Sequence, residues 1–158
     1  MSQLVRAFAT AVLLFGVLAG NAAAQSGKYQ KYLTSDDANL LLLCVEGDEQ
    51  GCYFYAGRQV KKGDLKKAHD AYLIGAQNAK TRSGYVSMFQ LARLYEAGQG
   101  VEKDLVQAMR WLTALSRLSS QADLQKASRA LLAQITPQMS SEGRAIGKLL
   151  GDRVRLNN

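Results

Sequence analysis

Ser87-Met88-Phe89-Gln90-Leu91-Ala92-Arg93-Leu94-Tyr95-Glu96-Ala97-Gly98-Gln99-Gly100-Val101, running on to Asp104, Ala108 and Trp111, is the stretch that decides the fold. Met88, Leu91, Ala92 and Tyr95 fall at i, i+3, i+4 and i+7, the spacing of one face of an α-helix. Leu105, Ala108, Met109 and Leu112 take up the same spacing after a break. Within the break, Gly98 and Gly100 permit backbone angles that residues with a Cβ resist. Asp104 is well placed to cap the helix that follows. Two short helices joined by a tight turn are expected here.

The unit recurs. Asp64-Leu65-Lys66-Lys67-Ala68-His69-Asp70-Ala71-Tyr72 lies forty positions before Asp104-Leu105-Val106-Gln107-Ala108-Met109-Arg110-Trp111-Leu112. The cap, the first leucine, the small alanine and the final large residue coincide. Each copy follows another helical stripe, Cys52 to Lys62 in one case and Tyr85 to Ala97 in the other. A helix-turn-helix unit at this period marks a helical solenoid, because one unit cannot bury its apolar face alone. The clear repeats cover about 52–79 and 85–118.

Outward from the repeats the helical spacing continues. Leu124, Ala127 and Leu131 form one stripe, and Met139, Gly143, Ile146 and Leu150 another. Gly47 and Gly63 join Gly98 and Gly100 as expected terminators, while Ser35, Asp64, Asp104 and Thr136 are expected N-caps, Thr136 with Pro137 behind it. These signals divide the chain into about six or seven short helices, with a repeat domain over 35–155 and a tail at 156–158. The fold class expected is all-α, a short α/α helical-hairpin solenoid.

Ser87 to Val101 with Asp104, Ala108 and Trp111 resembles the Sel1-like repeat, a relative of the tetratricopeptide repeat. That family's pattern is a small residue, then L-G-x-L-Y-x-x-G-x-G-V, then D, A and W-Y. Leu91, Tyr95, Gly98, Gly100, Val101, Asp104, Ala108 and Trp111 meet it, with Ala92 in place of the first glycine and Leu112 in place of the last tyrosine. The earlier copy lacks the G-x-G-V turn and is closer to a plain tetratricopeptide unit. The segment Ala122 to Val154 carries no signature and is expected to serve as a degenerate, polar-faced C-terminal cap. The resemblance implies a protein–protein interaction module.

The first residues read as an export signal over 1–24, followed by a short extension over 25–34. Arg6 supplies the positive start, Ala11 to Gly20 the apolar stretch, and Ala22-Ala23-Ala24 the small residues before a cut ahead of Gln25. The apolar stretch is shorter than the ~20 residues a membrane helix wants, so no span is expected after cleavage. A periplasmic or secreted protein follows. In an oxidising compartment the two cysteines, Cys44 and Cys52, favour a disulfide. One lies near the end of a helix and the other early in the next. Their spacing resembles the helix-to-helix bridge of cysteine-rich Sel1-like proteins; the alternative is a pair of reduced buried thiols.

Chemistry is scarce. The single histidine, His69, takes the slot that Met109 fills in the other copy, which makes it a packing residue. One histidine and two paired cysteines do not assemble an ordinary zinc site. No nucleophile elbow, phosphate loop or zincin motif is present. The pairs Asp36/Asp37 and Glu46/Asp48 sit at expected helix ends, where they complement helix termini. No catalytic, metal or cofactor residue is therefore assigned. The chain carries a formal charge of +7, which suits an acidic protein or an anionic envelope surface; export argues against nucleic acid. Helical phase puts Arg58, Gln59, Gln90 and Arg93 on an exposed face, flanked by Lys62 and Lys66, as candidate partner-binding residues. The runner-up functions are a hydrolase directed at the cell wall or a β-lactam, and a purely structural envelope protein.

Overall fold

The computed structural model describes residues 29–77, 79–118 and 120–156. The expected export signal at 1–24, the start of the expected extension and the last two tail residues lie outside the described residues. The chain divides after Thr34. Residues 29–34 are helical, and the Thr34 hydroxyl donates back to the Gln30 carbonyl at 3.0 Å.

From Ser35 onward the elements are α1 (Asp37–Val45), α2 (Glu49–Lys62), α3 (Leu65–Gln77), α4 (Arg82–Ala97), α5 (Leu105–Ser116), α6 (Ala122–Ile135), a 3-10 turn (Thr136–Gln138) and α7 (Ser141–Asp152). No strand occurs among the described residues. From α1 to α6 each helix packs against the next, and α1 also meets α3, α2 meets α4, and α4 meets α6. The protein is all-helical; the neighbour-on-neighbour packing of α1 to α6 ends with α7, which lies on α5. The apolar stripes supply the core: Leu40, Met88, Leu91, Trp111, Leu112, Leu115, Leu124 and Ile135 are fully enclosed.

The helix boundaries follow the caps. Asp64 accepts from the Lys67 amide, and Asp104 accepts from the amides of Val106 and Gln107. Gly63 and Gly98 stop α2 and α4 at φ of 81° and 66°, left-handed angles that glycine adopts freely. Two start signals differ from expectation. Asp36, not Ser35, caps α1, because its carboxylate takes the Asn39 amide at 2.8 Å. Thr136-Pro137 opens only the 3-10 turn; the Thr136 hydroxyl donates back to the Leu132 carbonyl, and Ser140 caps α7.

The expected stripe on α7 is also corrected. Its buried residues are Gly147 and Gly151, Gly143 is half-buried, and Ile146 is turned outward. A Cβ on Gly147 would stand 2.9 Å from the Met109 Cβ, and one on Gly151 would stand 2.6 Å from the Arg110 carbonyl oxygen. Glycine at every fourth position lets the α7 backbone lie directly on α5. The outer face of α7 carries Ile146 and Leu149 among polar residues such as Glu142, Lys148 and Asp152.

Candidate binding site

The front of the molecule is tied by two devices. Cys44 in the last turn of α1 and Cys52 in the first turn of α2 are both fully buried, with their sulfurs at the disulfide distance of 2.11 Å. Gly51 makes the approach possible, since a Cβ there would come to 2.7 Å from the Leu43 Cβ. The second device is Glu49, a buried carboxylate on α2 that the sequence reading passed over. Its oxygens accept the backbone amides of Lys80, Thr81 and Gly84 at 2.8, 2.9 and 3.1 Å, and the Thr81 hydroxyl at 2.6 Å. Thr81 is the N-cap of α4 but makes no side-chain cap bond of its own. A carboxylate from another helix thus satisfies the orphan amides and faces the positive end of the helix dipole. A Cβ on Gly84 would overlap that carboxylate, which explains the glycine inside the first turn.

The residues expected to form a repeat signature lie on α4, on α5 and in the turn between them. Leu91, Ala92, Ala108 and Trp111 are buried, Asp104 caps α5, and Gly98 and Gly100 hold φ of 66° and 71°. Val101 is half-buried beside this turn. Tyr95 meets the His69 ring edge-on at 5.1 Å between centroids. His69 is buried, with Nδ1 at 3.0 Å from Asp70. Burial pushes the Asp70 carboxyl up, but the bonds from His69 and Lys66 outweigh it and leave it below its ordinary value.

The basic side chains of α2 and the start of α3 are spent largely on the fold. Lys62 and the Gln59 amide each reach the Asp37 carboxylate at 2.6 Å, and Arg58 stands at 3.4 Å from it. The Lys62 bond, then that of Gln59, holds the Asp37 carboxyl below its usual range. Lys66 pairs with Asp70, and Lys67 with Asp64. The expectation that Gln59 is exposed is corrected: it is 4% exposed, enclosed where α2 meets α1. Gln90 and Arg93 are half-buried on α4. Arg58, Gln59 and Lys62 therefore converge on one carboxylate, whereas Lys66 pairs along its own helix.

A different basic cluster stands at the other end. A cleft of about 360 Å³ is lined by Ala76 and Gln77 of α3, Arg110 and Trp111 of α5, Leu150 of α7, and Arg153, Val154 and Arg155 just beyond it. Three lining residues are arginines and none is acidic. Arg110 stacks over the Trp111 ring at 4.5 Å and reaches Gln107 at 3.4 Å. Among the described residues no carboxylate pairs with Arg110, Arg153 or Arg155. Guanidinium groups held around a partly apolar hollow suit the carboxylates of an acidic ligand, which they can grip bidentately. The sequence reading did not single out these arginines; the signal that could have found them was Arg153-Val154-Arg155.

Among the described residues, no three potential metal ligands are grouped, and no helix is long and apolar enough to cross a membrane. Comparison with protein-family models, curated proteins and solved structures found no match.

Proposed function

We propose that this chain is an exported binding module of the Sel1-like, tetratricopeptide-related type, which captures an acidic protein partner in the bacterial envelope. The observation that carries the reading is the Arg110, Arg153 and Arg155 cleft beside Trp111, with no carboxylate in its lining. Unpaired arginines raise the local concentration of an oppositely charged partner and add specificity through hydrogen-bond geometry. The repeat assignment draws support from the parallel between two helix pairs. In both, a glycine of positive φ is followed by an aspartate cap, and Ala68 and Ala108 occupy matching buried positions. The cysteine pair fits an oxidising compartment.

The test is a crosslinked pull-down from the cell envelope, comparing the native chain with an Arg153→Glu/Arg155→Glu variant. The proposal expects an envelope protein with an acidic surface that is enriched by the native chain and lost with the variant. Equal enrichment by both sinks the cleft as the site. Mass spectrometry of the exported chain should find Gln25 at its amino terminus; an intact leader on it contradicts the export reading.

A further inference from the structure

One flank of α7 leads directly into the arginine cleft. Ile146 and Leu149 are 43% and 51% exposed. Leu150 is half-buried and lines the cleft. Arg153, the C-cap of α7, keeps helical backbone angles, φ of -81° and ψ of -14°, and lines the cleft as well. Ile146, Leu149, Leu150 and Arg153 therefore stand at i, i+3, i+4 and i+7, one flank of a single helix. Lys148 and Asp152 fall on the opposite flank, where they pair with each other at 3.0 Å. They neither interrupt the stripe nor add to its charge. The exposure has a structural cause: Gly147 and Gly151 take the close approach to α5, which leaves the aliphatic side chains outside. Leu41, Leu42 and Val45 of α1 are exposed too, but no α1 residue lines the cleft.

Stripe and cleft select different parts of one ligand. The cleft presents three arginines and no acid, so it selects carboxylates. The stripe presents aliphatic surface only, so it selects apolar side chains. A single exposed leucine is ordinary on a protein surface. Aliphatic side chains continuous with arginines and a tryptophan match the composition of interface centres, where arginine and aromatic residues are enriched. The flank also has a direction. Glu142 stands one turn before Ile146, whereas Arg153 and Arg155 stand beyond Leu150. Carboxylates on a ligand are repelled at the first end and attracted at the second, which fixes its orientation on α7.

We infer that the acidic partner is recognised through an amphipathic segment: its carboxylates meet Arg110, Arg153 and Arg155, and aliphatic side chains beside them seat on Ile146, Leu149 and Leu150. The inference rests on the acidic-partner reading of the cleft and names the second half of that recognition. Ile146 and Arg153 are seven residues apart, about 10 Å along a helix. The partner's apolar side chains therefore lie within that distance of its acids. A polyanion without apolar groups fills the cleft alone and is held more weakly. Discrimination among acidic ligands then comes from the stripe, not from the arginines.

Three peptides of equal length, none containing tryptophan, test this through the Trp111 emission of the full chain. The first is all glutamate. The second places two leucines, one helical turn apart, about 10 Å from a run of glutamates. The third keeps the leucines and carries lysine for glutamate. The native chain should bind the second about tenfold more tightly than the first, the gain from partly burying two leucine side chains, and should not bind the third. An Ile146→Gln/Leu149→Gln chain should bind the first and second alike. Both positions are exposed, and unchanged circular dichroism and melting establish that the variant is folded. Should it misfold, Leu149→Gln replaces it and must reduce the gain. Equal binding of the two acidic peptides by the native chain overturns the inference and leaves the cleft reading standing. A gain that persists in the variant overturns it as well, as does binding of the lysine peptide. Failure of the native chain to bind either acidic peptide overturns the cleft reading and the inference with it. Flotation with phosphatidylglycerol vesicles that the variant abolishes would give the stripe to a lipid surface. Self-association in sedimentation that the variant abolishes would give it to a second copy. Either result overturns the inference.

Discussion

The two ends of the helical array are held together by different means. At the front, α1, α2 and α4 are joined by a covalent bond between Cys44 and Cys52 and by the four bonds that Glu49 accepts at the start of α4. At the back, α7 meets α5 through glycines, with no disulfide and no buried carboxylate. Three glycines cost a helix roughly 0.5–1 kcal/mol each relative to alanine, so α7 owes its helical state to the surface it rests on. Enclosed polar atoms without a protein partner occur in both parts: His69 Nε2 on α3 and Gln99 Oε1 after α4, and Arg110 Nε, Trp111 Nε1 and Ser128 Oγ on α5 and α6. The comparison teaches that the front is fixed by a covalent and a polar tie, whereas the back, where the cleft lies, is fixed by close backbone packing.

The sharpest way to break this contrast is Glu49→Ala. Removing a buried carboxylate that serves four donors should cost about 3 kcal/mol. The loss is read as a lower melting temperature together with faster hydrogen exchange at Lys80, Thr81 and Gly84. An unchanged melt would show that water replaces the carboxylate without penalty. Next in size is the disulfide. Closing so short a loop is worth about 2–3 kcal/mol by loop entropy, so melting in reductant, or of a Cys44→Ala/Cys52→Ala chain, should fall by that amount. Gly147→Leu should cost about 1–3 kcal/mol by overpacking against Met109. Exchange should then rise across α7 while α1 to α4 stay protected. Loss of protection in both halves at once would mean that they unfold as one unit and that the contrast is false.

The smallest effect belongs to Asp37→Asn. Asp37 has its pKa lowered in the folded chain, so its stabilisation is present above the ordinary carboxylate value of 3.8 and is lost as pH falls through the depressed value. The native chain and the variant should differ slightly at neutral pH and converge in acid. The groups lie near solvent, so added salt should narrow the gap too. A difference that grows in acid would contradict the assigned sign.

These contrasts also explain what could be read in the sequence. Helical spacing, the Gly63 and Gly98 stops and the Asp64 and Asp104 caps are local signals, and local signals were legible. Cys44 and Cys52 were legible because only a short turn separates them. Glu49 was not, because its partners lie 31 to 35 residues away and nothing near it in sequence marks a buried acid. On α7 the hydrophobic stripe misled, since the backbone approach favoured glycine over the aliphatic face; Gly143, Gly147 and Gly151 at intervals of four were the overlooked signal. Helical phase placed Gln59 at the surface because it carries no information about α1 lying across that face. The arginine cleft is assembled from three helices, so its parts looked like unrelated surface charges.

The most direct measurement uses the only tryptophan of the chain, Trp111, which lines the cleft. Its emission is followed while poly-glutamate is added to the native chain and to the Arg153→Glu/Arg155→Glu variant, with poly-lysine as the control. A cleft that receives acidic ligands predicts a saturable change for the native chain with poly-glutamate alone, weakened by salt and absent from the variant. No change, or the same change in both chains, would contradict the account.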